Sequence, residues 1–196
     1  MSNIGYGRKA KTVTRSFRIS EAAFDALTED AARERVSVNT LVNQLFMSYA
    51  DYDRFFRKLG IIRMSSATFG HLLEMASEEE VAKAGFESGS DIPETIMLAK
   101  EGKATLAVAV RFMETLSAYS GMFDGNMVVA EGKTTVTLMH NFGPKGSLFF
   151  RSYCEALFKS VGVRPNIISA EHSITVELPT AGPAEMPWSA EEELTR

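Results

Sequence analysis

The sequence predicts a mixed α and β chain in two parts: a helical N-terminal part that opens with one strand, and a C-terminal α+β part. Residues Thr14 to Ile19 have a strand-like period of two, with Phe17 and Ile19 on one face and Thr14, Ser16 and Arg18 on the other, and run directly into a helical pattern. No second strand-like run follows for roughly a hundred residues, so the first strand has no partner nearby. Further on, two pairs of β-branched runs flank an amphipathic helix, which predicts two hairpins around one helix.

The N-terminal part is predicted to contain a flexible basic arm at residues 1–12 and a helical domain at residues 13–59. Ser20 precedes the first helical stripe and is a suitable N-cap. Ser37 has the same position before a second, longer helix. Gly60 is then the natural C-terminal stop of that helix.

The C-terminal part is predicted to be an α+β domain at residues 61–178, with helices first and a ββαββ arrangement after them. Among the helices, Asp91 is expected to cap a separate segment with Pro93 in its first turn, where proline is tolerated. The expected ββαββ elements are Asn126–Ala130, Thr134–His140, the helix Ser147–Val161, Ile167–Ser169 and Ser173–Leu178. Residues 179–196 contain three prolines and an acidic end, which predicts a disordered tail.

Composition indicates a globular cytoplasmic protein. The chain has 196 residues, of which 45% are hydrophobic, so a substantial core is expected. It contains no apolar run long enough for a membrane helix and no secretory signal pattern. A single cysteine, Cys154, excludes an internal disulfide framework.

The charge distribution is uneven. The net charge is −4, yet residues 1–20 contain five Lys and Arg residues and no acidic residue. A basic leading segment on an acidic protein indicates a localised anionic partner, such as nucleic acid. The alternative is a solvated terminus without a partner.

The order of strand, helix, tight turn and capped helix resembles the ribbon-helix-helix family of DNA-binding proteins. The resemblance covers about residues 13–52 and lies in TRSFRIS, EAAFDALTEDAARER and SVNTLVNQLF. It implies that two chains each contribute the strand to a two-stranded antiparallel ribbon above four helices. The unpaired strand would then pair with the same strand of another molecule, which makes an obligate homodimer.

The period of two along this strand assigns roles to its residues. Phe17 and Ile19 would face the helices, and a set of polar residues would face the bases in the DNA major groove: Thr14, Ser16 and Arg18. Arginine can bind guanine through two hydrogen bonds, so Arg18 is the main candidate for specificity. Contacts to the DNA backbone are expected from the basic residues of the arm and the strand start: Lys9, Lys11 and Arg15.

A second contact to the DNA backbone is expected at the start of the second helix. The resemblance implies that Ser37, Val38 and Asn39 hold a phosphate, and unpaired amides at a helix N-terminus suit that role. Family members commonly have glycine in the preceding turn, where this chain has Arg35. If the turn is left-handed, arginine costs roughly 1 kcal/mol more than glycine but adds a charge that attracts phosphate.

The C-terminal part loosely resembles uncharacterised archaeal proteins that share the type of motif seen here as HNFGPKGSLFF, which brings no function with it. Its glycines and lysine invite a phosphate-loop interpretation, but the required spacing is absent. A turn with Ser147 as N-cap is favoured, and anion binding at that helix start is the alternative.

The potential metal ligands of the chain are scattered singly: His71, His140, His172 and Cys154. We therefore expect no metal, no other cofactor and no catalytic residues. The many methionines and phenylalanines are expected to form core, with the alternative that some line a pocket for an apolar ligand or a partner helix.

These features predict a sequence-specific DNA-binding transcriptional regulator that acts as a repressor. Its expected partners are double-stranded DNA, a second copy in a dimer or tetramer, and a small-molecule or protein effector at residues 61–178. The C-terminal domain would sense that effector or build higher oligomers. The alternatives are an antitoxin-like protein that binds DNA and a protein partner, and an enzyme with an accessory DNA-binding module.

Overall fold

A computed structural model describes residues 12–130 and 132–179 of the chain. Lys9, Lys11, nearly all of the predicted arm and the predicted tail beyond Pro179 lie outside the described residues. The chain divides into two compact units, one ending at Arg54 and the other beginning at Phe55. Among the described residues, no helix combines the length and the hydrophobicity of a membrane span.

The first unit is helical. Helix α1 covers Glu21–Glu34 and helix α2 covers Val38–Ser48. The predicted caps are confirmed, because the Ser20 and Ser37 hydroxyls accept hydrogen bonds from the Ala23 and Thr40 amides at 3.3 and 3.0 Å.

The predicted helix to Leu59 is not one regular α-helix. After α2 the chain passes through a π-helical turn (Tyr49–Asp53), a short helix α3 (Arg54–Phe56) and a 3₁₀ turn (Arg57–Leu59). Gly60 ends this run in the left-handed conformation at φ 67°, as predicted.

The second unit is a mixed α+β fold. Three helices come first, α4 (Ser66–Met75), α5 (Glu78–Glu101) and α6 (Leu106–Tyr119). The ββαββ prediction is confirmed by strands β1 (Asp124–Ala130) and β2 (Lys133–Met139), helix α7 (Gly143–Ser160), and strands β3 (Asn166–Ala170) and β4 (Ser173–Pro179). The four strands form one antiparallel sheet in the order β1-β2-β4-β3. The core of the unit is formed by the buried sides of α5, α6 and α7 and by the inward residues of β2 and β4, such as Leu138 and Ile174.

The predicted break at Asp91 was wrong, because α5 continues through Asp91 and Pro93. Gly85, Gly89 and Pro93 are buried, and each lies four residues after the one before it, so they form a seam along α5. A Cβ atom at Gly89 would overlap the Tyr153 carbonyl and lie 2.8 Å from the Tyr153 Cα, so α5 and α7 meet backbone against backbone. This contact maintains the helix although Pro93 removes one intrahelical hydrogen bond.

Candidate nucleic-acid interface

The predicted strand Thr14–Ile19 is not paired in the structure, and described residues 12–20 form neither strand nor helix. A ribbon between two chains needs a second copy, so the pairing stays a prediction. The Phe17 ring lies edge-on to the Phe46 ring of α2, with centroids 5.9 Å apart. Phe17 therefore faces the helices, as its position in the alternating pattern indicates. The residues of the opposite face are exposed: Thr14, Ser16 and Arg18.

The first unit has very little core of its own. Between residues 12 and 54, Ala31 and Leu41 are the buried residues. Four large apolar side chains of this unit are each at least half exposed: Phe17 (70%), Ile19 (54%), Phe24 (50%) and Leu45 (51%). Exposed apolar side chains that lie together are a candidate interaction surface.

The turn between α1 and α2 is left-handed at Arg35, with φ 59° and ψ 38°. Arg35 is the one non-glycine residue with positive φ among the described residues. The Val36 amide bonds to the Ala31 carbonyl at 2.9 Å and the Arg35 amide to the Ala32 carbonyl at 3.2 Å. These two bonds form a Schellman motif, which usually has glycine at the position of Arg35. Arg35 therefore has the left-handed conformation in which arginine is less favourable than glycine.

We predict that Arg35→Gly raises the stability of the first unit by about 1 kcal/mol and weakens its binding to DNA. Glycine removes the steric cost of positive φ, while the change also removes a charge expected to contact phosphate. Urea unfolding and DNA titration measure the two effects. Arg33→Gly is the matched control, since Arg33 lies within α1 and its replacement lowers helix stability. An Arg35→Gly variant no more stable than the natural chain contradicts the prediction.

The start of α2 is arranged as the sequence predicts for an anion contact. Ser37 caps the helix, and its hydroxyl also lies 2.8 Å from the Thr40 hydroxyl. The first intrahelical amide bond runs from Leu41 to the Ser37 carbonyl. The amides of Val38 and Asn39 come before that bond and have no acceptor within the helix. A phosphate oxygen at this helix end would satisfy them and interact favourably with the helix dipole.

Comparison with models of protein families, with curated proteins and with solved structures finds no match to any of them. The functional interpretation therefore depends on the residues themselves.

The second unit contains a polar cluster that sequence reasoning missed. Ser147 was predicted as an N-cap, which was wrong, because α7 begins four residues earlier at Gly143 with Pro144 in its first turn. Ser147 is buried, and its hydroxyl lies 3.0 Å from His140 Nε2 and 2.5 Å from the Ala170 carbonyl. The feature of the sequence that could have indicated this cluster is a histidine at a strand end followed by a serine seven residues later.

The hydrogen bonds of His140 define its tautomer. Its Nδ1 accepts from the Phe142 amide at 3.3 Å, so the ring proton is on Nε2 and is donated to Ser147. Ser147 in turn donates its hydroxyl proton to the Ala170 carbonyl. The nitrogen that faces the hydroxyl already carries a proton and cannot remove another. In this arrangement the pair joins the end of β2 to α7 and β3.

Burial lowers the pKa of His140, and the nearby His172 lowers it further. The unfolded chain then binds a proton on this ring more readily than the folded chain. The stability linked to His140 is therefore fully present above the pKa of the unfolded chain, near 6.5, and is lost as pH falls from there towards the lower pKa of the folded chain.

We predict that His140→Gln reduces the loss of stability between neutral and mildly acidic pH in urea unfolding. His71→Gln, at an exposed residue of α4, is the control. Equal pH dependence in the natural chain and in His140→Gln contradicts the prediction.

The other candidate ligands of the second unit differ in their surroundings: His71 and His172 are exposed, whereas Lys145 is engaged in hydrogen bonds and Cys154 is buried. Lys145 donates hydrogen bonds to the Glu74 and Ala76 carbonyls at 2.8 and 2.7 Å, so its ammonium holds the end of α4. Cys154 is fully buried, and this burial raises the pKa of its thiol. Within residues 12–130 and 132–179, no three His, Cys, Asp or Glu side chains lie together as a metal site.

Proposed function

We propose that the protein is a homodimeric, sequence-specific DNA-binding regulator of transcription in the cytoplasm, acting as a repressor. The observation that carries this proposal is the half-exposed apolar side of the first unit, formed by Phe17, Ile19, Phe24 and Leu45. A second copy would cover these side chains, and pairing of the two Thr14–Ile19 segments would supply the ladder that each lacks.

The opposite side of the same segment has the composition of a DNA-reading surface. Thr14, Ser16 and Arg18 are exposed and occupy every second position, with the opposite parity to Phe17 and Ile19. A two-stranded ribbon fits the major groove of B-DNA, where these side chains would meet base edges. Arg15, Arg35 and the α2 amides would contact phosphates on either side of the groove, together with Lys9 and Lys11, which lie outside the described residues.

The proposal is tested by selecting a preferred DNA site from a random library and then comparing two arginine variants. Arg18→Ala should lose about 1–3 kcal/mol on the preferred site and little on random DNA, because it removes a base contact. Arg15→Ala should weaken both similarly and reduce the salt slope by about one unit, because it removes a phosphate contact. Failure to enrich any sequence, or equal losses on both DNAs for Arg18→Ala, would count against the proposal.

A further inference from the structure

The second unit contains a cleft between the first half of α7 and the end of β3. Its volume is about 450 Å³, within the range of sites that hold small ligands. The helix side is formed by Pro144, Ser147, Leu148 and Arg151, and the strand side by Ser169, Ala170 and Glu171. The cleft therefore lies next to the hydrogen bonds of Ser147 and contains no residue of the proposed DNA-binding surface.

The two sides of the cleft differ in charge. Arg151 on the helix is half exposed and pairs with Glu155 at 3.0 Å, one turn further along the same helix. Glu171 on the opposite side is 70% exposed and lies 3.7 Å from His172. Exposed pairs of this kind contribute little to stability, so a ligand can replace either partner at low cost. The cleft thus offers a cationic group for a carboxylate and an anionic group for an ammonium.

The uncharged residues that line the cleft determine which uncharged part of a ligand would fit there. Pro144, Leu148 and Ala170 are apolar, while the buried Ser147 hydroxyl already donates a hydrogen bond to the Ala170 carbonyl and accepts one from His140 Nε2. Ser169 is the remaining side-chain hydroxyl of the lining and is exposed.

We propose that this cleft binds a small zwitterion with a short apolar body, of the chemical class of the free aliphatic α-amino acids. The carboxylate would lie at Arg151, the ammonium at Glu171 and the side chain against Pro144 and Leu148. Because the cleft lies in the second unit and needs no DNA, amino-acid binding and DNA binding can each succeed or fail without the other.

The test is calorimetric titration of the full chain with L-leucine and with two analogues that each lack one charge, 4-methylpentanoate and 3-methylbutylamine. Leucine should bind at millimolar concentration or below, and each analogue at least about tenfold more weakly, since each loses a charge-assisted hydrogen bond. Absence of leucine binding at millimolar concentration, or equal binding of all three compounds, overturns the proposal.

Four variants locate the site. Ser169→Tyr adds a ring to an exposed residue of the cleft and should abolish leucine binding. Arg151→Gln should weaken leucine at least about tenfold while leaving 3-methylbutylamine unchanged, and Glu171→Gln should leave 4-methylpentanoate unchanged. Arg164→Gln changes an exposed arginine outside the cleft and should have no effect. Leucine binding that survives Ser169→Tyr would place the ligand elsewhere and overturn the assignment.

Discussion

Replacing Gly89 with alanine should destabilise the second unit by about 1–3 kcal/mol or more, although alanine is the better helix former. The added methyl group has no space, because it would overlap the Tyr153 carbonyl of α7 and lie 2.8 Å from the Tyr153 Cα. Relief requires α5 and α7 to move apart, and these helices make the largest contact in the unit. Chemical unfolding of the full chain, monitored by circular dichroism, measures the loss.

Gly70→Ala is the matched control for this substitution. Gly70 also lies within a helix, α4, but a Cβ atom there would meet Phe142 Cδ1 at 3.6 Å, an ordinary contact distance. Here the helix propensity of alanine should prevail and raise stability by about 0.5–1 kcal/mol. If both variants were stabilised equally, the close approach of the α5 and α7 backbones would be refuted.

Phe17→Asp should convert the protein to a monomer and remove its specific DNA binding. In one chain alone, Phe17 is 70% exposed, so an aspartate there would cost almost nothing. In the proposed dimer, two phenylalanines would leave the shared core, at a loss of about 3–6 kcal/mol for the pair, before the cost of burying charge. Sedimentation at micromolar concentration separates these outcomes, since the monomer is 21.6 kDa.

Ser16→Asp provides the comparison for Phe17→Asp. It places the same charge one residue earlier, on the side of the segment assigned to DNA. This variant should remain a dimer and still lose DNA affinity, because the carboxylate would face phosphates and base acceptors. A Phe17→Asp protein that still sediments as a dimer would show that the Thr14–Ile19 segment is not the dimer contact.

Features that depend on short-range chemistry were predictable from the sequence. The N-caps Ser20 and Ser37 and the glycine stop at Gly60 each follow from one or two neighbouring residues, and the structure has them in place. The two hairpins around α7 were predictable for the same reason, since β-branched runs joined by short turns form locally.

Features that depend on distant contacts were not predictable in this way. Pro93 and Asp91 carry the local signature of a helix start, but α5 continues through both and its Gly85 and Gly89 approach the backbone of α7, a contact that no local signal announces. Ser147 has the local signature of a cap, but its hydroxyl partner is the Ala170 carbonyl, 23 residues away. The surface assigned to DNA remains a prediction, because its completion requires a second molecule.

The attachment of α4 has a consequence for the order in which the second unit opens. Leu73 is the buried residue of α4, and Met75 at its end is 84% exposed. The Phe69 ring of the same helix packs against Phe142 and Phe149. Its C-terminal carbonyls are held by the flexible side chain of Lys145 instead of a glycine turn. Detaching α4 thus breaks a few side-chain contacts and leaves the α5–α7 seam intact. Amide hydrogen exchange in α4 can then proceed through a partial opening, well before the unit unfolds as a whole.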